Sequence, residues 1–127
     1  MDKSVGVTNI DKQGPPEYLV RAQEAVNSDR YDEAVEVLEN AFEEDSYNIC
    51  QAIGEIYLIK NEHEKAIEWF KKGEAYKDNY LDSIINTARA LVDMGKRSEA
   101  VDELLRGLGF KHTSVSAERL SAEFVRT

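Results

Sequence analysis

The stretch YNICQAIGEIYLIKNEHEKAIEWFKKGEAYKDNY, residues 47–80, decides the fold predicted for this chain. Its apolar residues recur at intervals of three and four, the spacing of amphipathic helices. Two such helices are joined at Lys60-Asn61-Glu62, and versions of the same pattern occur on both sides of the stretch. The sequence therefore predicts a helix hairpin that is repeated along the chain.

The repeat becomes visible when the chain is compared with itself. At an offset of 34 residues, small and large positions coincide without a gap, pairing Gly54, Tyr57, Ala66, Phe70 and Gly73 with Ala88, Leu91, Ala100, Leu104 and Gly107. Towards the N-terminus the offset is 32 residues, pairing Ala66, Phe70 and Gly73 with Ala34, Leu38 and Ala41. The first unit is thus two residues shorter than the others.

The recurring residue types have a packing explanation. Two helices can cross closely only where one of them carries a small side chain, and large side chains then fill the space beside the crossing. The first helices of the three hairpins supply Ala22, Gly54 and Ala88, and the second helices supply Ala34, Ala66 and Ala100. We expect all six positions to be buried.

Three segments in the same frame resemble the second half of a tetratricopeptide repeat: RYDEAVEVLENAF (30–42), NEHEKAIEWFKKGEA (61–75) and GKRSEAVDELLRGL (95–108). A period near 34 with two helices per unit is the signature of this family. The resemblance covers about residues 15–114. It implies an all-α, right-handed superhelix of three antiparallel hairpins, with repeats at about 15–46, 47–80 and 81–114. A seventh helix at about 116–126 would cap the array, as solenoids require.

Helix limits follow from the apolar periodicity and from turn residues. The predicted helices span about 17–27, 31–43, 47–60, 62–76, 81–94 and 97–108. Ser28 or Asp29 is expected to cap the second helix, and Asn61 with Glu64 the fourth. Gly95 is expected to end the fifth helix in left-handed backbone. Residues 1–14 are predicted to be a flexible tail, with a short docking strand as the alternative, and residues 15–127 a single domain.

Composition restricts the class of partner. The net charge is −9, from 16 basic and 25 acidic residues, which opposes direct binding of nucleic acid. The acidic excess favours solubility, and a basic partner surface is the alternative. No run of 18 apolar residues and no signal-peptide pattern occurs, so no membrane association is expected. Cys50 is the single cysteine and is expected to be a buried apolar residue of a cytoplasmic protein.

Residues that could carry chemistry are scattered. His63 and His112 have no cysteine, aspartate or second histidine at ligand spacing, so no metal site is predicted. The seven glycines do not form a phosphate-binding loop. We therefore expect a non-enzymatic protein without cofactors.

The resemblance implies a binding surface, because the first helices of tetratricopeptide hairpins line a concave groove that receives a peptide. Ten residues of this chain are predicted to line it: Leu19, Gln23, Asn27, Gln51, Glu55, Ile59, Ile85, Asn86, Arg89 and Asp93. Val26 and Leu58 also map to this wall, with burial between repeats as the alternative. Family members that clamp a C-terminal carboxylate use basic residues, and the matching positions here carry none. Binding of chaperone tails is therefore not expected.

Two classes of function remain from the sequence. The first is an adaptor that binds a peptide segment of a protein partner, including a small chaperone that shields an apolar client segment. The second is a structural module that associates with itself, through stacked repeats or the seventh helix. Either a monomer or a weak homo-oligomer is compatible with the sequence.

Overall fold

The computed structural model describes residues 14–109, and all regular secondary structure in this part of the chain is helical. We number its α-helices in chain order: α1 Glu17–Asn27, α2 Tyr31–Asn40, α3 Ser46–Ile59, α4 His63–Lys72, α5 Leu81–Asp93 and α6 Arg97–Gly107. The predicted all-α class is confirmed. The predicted tail and seventh helix lie outside the described residues.

The helices form two compact units. The first comprises α1 and α2, and the second begins at Ser46 and comprises α3 to α6. In each unit, helices that follow one another in sequence pack together, and in the second unit α3 also contacts α5. This is the arrangement of antiparallel hairpins that the repeat predicted.

Two predicted helices end earlier than expected and tighten into a 3₁₀ turn. α2 stops at Asn40 and is followed by the turn Phe42–Glu44, and α4 stops at Lys72 and is followed by Gly73–Tyr76. The 3₁₀ form is common in the last turn of a helix, where the i→i−4 bonds run out. Apolar periodicity alone could not separate these turns from the α-helices that precede them.

Within each hairpin the turn has the same backbone. Asp29, Asn61 and Gly95 hold φ values of 62°, 63° and 79°, at positions related by the repeat offsets of 32 and 34. In each turn, the backbone amide of the next residue donates a hydrogen bond to the carbonyl five residues before it, for example from Glu62 to Tyr57 at 2.8 Å. This bond defines a Schellman end for the first helix. The left-handed residue is glycine once and Asp or Asn twice, the types that tolerate this region.

This turn corrects the predicted caps. Neither α2 nor α4 has a side-chain cap, because their N-cap residues are Arg30 and Glu62. Asp29 and Asn61 instead supply the left-handed residue that ends the preceding helix. The prediction for Gly95 is confirmed.

The close crossings lie where the sequence placed them. All six small positions are buried: Ala22, Ala34, Gly54, Ala66, Ala88 and Ala100. At Gly54, an added Cβ would come within 2.4 Å of Phe70 Cε1 and 3.0 Å of the Ala66 carbonyl oxygen. Phe70 itself is fully buried. In contrast, Leu104, which the offset of 34 pairs with Phe70, is 43% exposed.

Polar contacts join the two hairpins of the second unit. The Phe70 carbonyl accepts hydrogen bonds from Ser83 Oγ at 2.6 Å and from Gln51 Nε2 at 3.2 Å. Ser83 lies in the first turn of α5, where backbone amides have no partner inside the helix. Its amide donates to the Tyr47 hydroxyl at 3.1 Å. A tyrosine of one repeat therefore caps the first helix of the next.

Replacing Tyr47 with phenylalanine is expected to destabilise the protein by about 1 kcal/mol, because the buried Ser83 amide loses its acceptor. Burial raises the pKa of Tyr47 above its usual value of 10.0. A raised folded-state pKa gives stability that is complete below pH 10.0 and is lost as the pH rises further. The difference in unfolding free energy between parent and variant should therefore narrow above that pH. Urea unfolding at neutral and alkaline pH measures it, and a constant difference would contradict the assignment.

Candidate functional site

Three equivalent positions recur on the first helix of every hairpin. They are spaced four residues apart along each helix and coincide under the repeat offsets: Leu19, Gln23 and Asn27; Gln51, Glu55 and Ile59; Ile85, Arg89 and Asp93. A spacing of four places the three residues of a set on one side of their helix. Nine of the ten predicted groove residues belong to these sets, and Asn86 is the tenth.

In the second unit these positions meet across α3 and α5. We call the surface made by Gln51, Glu55, Ile59, Ile85, Asn86, Arg89, Val92 and Asp93 the α3–α5 face. Two direct contacts tie its halves together, from Asn86 Nδ2 to Gln51 Oε1 at 3.0 Å and from Arg89 Nη2 to Glu55 Oε2 at 3.3 Å. The structure thus brings the predicted α3 and α5 residues into one surface.

Gln51 is the most buried member of this face, with 8% of its surface exposed. Its amide nitrogen donates to the Phe70 carbonyl and its amide oxygen accepts from Asn86. Both ends of the side chain are thus held by the protein, and Gln51 fixes the orientation of Asn86. Sequence reasoning could not distinguish this bridging role from an exposed contact residue.

The ion pair between Glu55 and Arg89 lies in the open. Both side chains are about half exposed, at 54% and 50%. Exposed pairs of this kind contribute little to stability, at most about 1 kcal/mol. Their charges remain accessible for recognition of a partner.

Three branched apolar side chains lie three or four residues along the helix from a member of the ion pair, on the same side of α3 or α5. Ile59, Ile85 and Val92 are 52%, 48% and 52% exposed. Val92 is absent from the predicted set, although its distance of seven residues from Ile85 would have placed it on the same side of α5. Leu58, in contrast, packs against the core cluster of Ala66 and Phe70. Of its two predicted roles, wall of the groove or packing between helices, the structure supports packing.

The first unit presents its own set on α1. Leu19 is 40% exposed, and Gln23 and Asn27 are also exposed. Gln23 Nε2 donates to Asn27 Oδ1 at 2.9 Å, so two amides of the set are paired along the helix. The character of this set matches the α3–α5 face: one apolar side chain beside polar groups.

Residues 47–80 match the family model for the tetratricopeptide repeat. The central hairpin is a tetratricopeptide repeat. The family predicted from the sequence is therefore confirmed for residues 47–80, the segment on which the prediction was based. In the structure this repeat consists of α3, α4 and the turn Gly73–Tyr76. Folds of this family are in general interaction scaffolds that bind protein partners and do not catalyse reactions.

Solved structures support the tetratricopeptide fold. A crystal structure of MamA aligns with a TM-score of 0.62 at 22% identity over 84% of this chain, which spans 59% of that chain. A structure of a mutant of MamA aligns with a TM-score of 0.58 at 20% identity, over 80% of this chain and 77% of that one. At these identities the likeness concerns the fold alone. No curated protein matches the sequence.

Two of the shifted pKa values in the described residues belong to side chains with a packing role, Cys50 and Arg106. Burial raises the pKa of the Cys50 thiol, and the charge of Lys72 lowers it by less. A nucleophilic cysteine needs a lowered pKa, so Cys50 is the buried apolar residue that the sequence predicted. Hydrogen bonds to Glu74 and Glu103 raise the pKa of Arg106. Among the residues with described positions, no three His, Cys, Asp or Glu side chains are placed to hold a metal ion. No helix between residues 14 and 109 is long and apolar enough to cross a bilayer.

Proposed function

We propose that this tetratricopeptide protein is a non-enzymatic adaptor that binds a peptide segment of a protein partner on the α3–α5 face. The observation that carries the proposal is that three half-exposed branched side chains lie at helical spacing from an exposed ion pair that joins α3 and α5. Apolar side chains of this size suit short apolar anchors on a ligand, and they gain free energy when a partner covers them.

The polar groups of the face define the ligand further. Asn86 is oriented by Gln51 and offers an amide for contacts with a peptide backbone. Glu55 and Arg89 place opposite charges side by side, which favours a segment that carries charges of both signs next to its apolar residues. Two hairpins give a small surface, so we expect micromolar affinity, on the order of −8 kcal/mol.

The first test locates the partner by photo-cross-linking. Benzoylphenylalanine is placed at Ile85, on the face, or at Glu39, which is exposed on α2. Cross-linked peptides are recovered from native lysate and identified by mass spectrometry. Their yield should be high with the probe at Ile85 and low with the probe at Glu39. Equal yields at both positions would contradict the proposed face. A cross-link between two copies of this chain would instead favour a self-associating module.

Exchanging the charges of the face should alter binding without altering stability. The double variant Glu55→Lys/Arg89→Glu keeps an ion pair at the same place, so its melting temperature should change by only about 2 °C. Affinity for the cross-linked peptide should fall by about ten-fold, because both charges now oppose those of the ligand. Calorimetric titration with the synthetic peptide measures the change.

The matched control for this exchange is Arg30→Glu/Glu33→Lys. The two side chains of that pair lie 3.0 Å apart at the start of α2, and they are similarly exposed, at 53% and 49%. The control should bind the peptide as the parent does. A loss of binding in both double variants would assign the effect to general electrostatics and contradict recognition by the α3–α5 face.

A further inference from the structure

A second recessed surface lies on the other side of the second unit. We call it the α4–α6 cleft, since α4 and α6 form its walls and α5 its floor. Its volume is about 500 Å³. Ile67, Leu91 and Met94 supply its apolar lining, and none of the predicted groove residues takes part.

The described residues of the cleft carry charge mainly of one sign. Among them, five carboxylates and two lysines line it. One of the carboxylates, Glu103, is already compensated, because Lys71 Nζ lies 3.3 Å away and Arg106 also contacts it. Between residues 14 and 109 the remaining lining charges are four carboxylates and one lysine: Glu64, Glu68, Glu99, Asp102 and Lys96. The cleft is therefore complementary to a cation.

Two buried acceptors in the cleft have no internal partner. In the part of the chain that the structure describes, Thr87 Oγ1 and Asp102 Oδ1 are shielded from solvent without a hydrogen bond. Thr87 has no exposed surface at all. Buried polar atoms are normally paired, and an unpaired one needs an explanation. A carboxylate oxygen only accepts, and a threonine hydroxyl can accept, so both would be satisfied by an incoming donor.

We propose that the α4–α6 cleft binds an arginine side chain presented by a partner protein. The guanidinium donates to Asp102 Oδ1 and Thr87 Oγ1, and the aliphatic stem lies on Ile67 and Leu91. Arginine fits better than a compact cation, because its planar head carries five donors in a fixed fork and its stem packs on apolar surface. This site is separate from the α3–α5 face, and a partner could contact both.

The test uses the full chain and a pair of isosteric peptides. Acetyl-Gly-Ser-Arg-Ser-Gly-amide and the same peptide with citrulline in place of arginine differ in charge but hardly in shape. Titration into the ¹⁵N-labelled protein should shift the amide resonances of Thr87, Leu91 and Asp102 with the arginine peptide. Affinity for the citrulline peptide should be at least about ten-fold weaker.

Two variants test the named acceptors. Asp102→Asn should weaken binding of the arginine peptide by about ten-fold, because the negative charge of the acceptor is lost. Thr87→Val keeps the shape of the side chain and should also weaken binding, without loss of stability. Glu39→Gln removes an exposed charge on α2 and should bind as the parent does. The dispersion of the spectra shows whether each variant is folded.

Three outcomes would overturn the proposal. Equal affinity for the two peptides would show that charge is not recognised, and the absence of shifts in the cleft would show that nothing binds there. The third outcome concerns the basic residues of the C-terminal segment, Lys111, Arg119 and Arg126. If the peptide binds only after these three are replaced with glutamine, the cleft is occupied by this chain itself rather than by a partner.

Discussion

Gly54→Leu is expected to lower the unfolding free energy by about 3 kcal/mol, through overpacking. The Cβ alone would approach Phe70 Cε1 to 2.4 Å and the Ala66 carbonyl to 3.0 Å. Phe70 is fully buried and cannot turn away, and the carbonyl belongs to the backbone of α4. The leucine must therefore push α3 and α4 apart. A melting temperature roughly 10 °C below that of the parent, measured by circular dichroism, is the expected result.

Two companion variants make this result specific. Glu55→Leu introduces the same side chain one position later, on the exposed side of α3, and should leave the melting temperature nearly unchanged. Gly54→Ala/Phe70→Leu replaces the aromatic ring that an added Cβ would meet with a smaller side chain. The loss of unfolding free energy in this double variant should therefore be less than the sum of the losses in the two single variants. If the Gly54→Leu protein melted at the same temperature as the parent, α3 and α4 would not cross closely at Gly54.

The hairpins could be predicted because their small and large positions recur. A crossing needs a small residue whatever surrounds it, so Gly54 and Ala66 were sufficient to place it. The intervening turns were predicted less well. Asparagine is common both as an N-cap and in left-handed backbone. At Asn61 only the hydrogen bond from the Glu62 amide back to the Tyr57 carbonyl decides between the two.

The candidate sites depend on contacts between repeats, which periodicity does not contain. The periodicity of α3 places Gln51 and Glu55 on one side of the helix, yet one is buried in a bridge to Phe70 and Asn86 and the other is half exposed. The α4–α6 cleft was not predicted at all, because three helices from two hairpins form it. An unpaired Thr87 hydroxyl is visible only after the neighbours are in place.

The second large effect is expected at Arg106, which joins the last two hairpins. Its guanidinium forms two bonds to Glu74, at 3.3 and 2.7 Å, and also contacts Glu103. Glu74 follows α4, whereas Glu103 and Arg106 lie on α6. Glu103 is 8% exposed, so its charge depends on these partners and on Lys71. One arginine therefore compensates two carboxylates that water reaches poorly.

Arg106→Gln is expected to destabilise the protein by about 2 kcal/mol, because Glu74 and Glu103 lose their main compensating charge. Arg106→Lys keeps the charge but cannot make the forked contact, so it should cost less, about 1 kcal/mol. Urea unfolding measures both changes, with Arg30→Gln as the control at an exposed ion pair.

The pairwise part of the effect can be isolated with Glu74→Gln. If Arg106 acts on Glu74 directly, the double variant Glu74→Gln/Arg106→Gln should be less destabilised than the sum of the single variants by about 1 kcal/mol. This follows because the second change removes the carboxylate that the first left uncompensated. Strict additivity would mean that Arg106 stabilises the protein through its other contacts, the carboxylate of Glu103 and the ring of Tyr80, whose centre lies 5.7 Å from the guanidinium carbon. In that case the link between the hairpins would depend on Tyr80 rather than on Glu74.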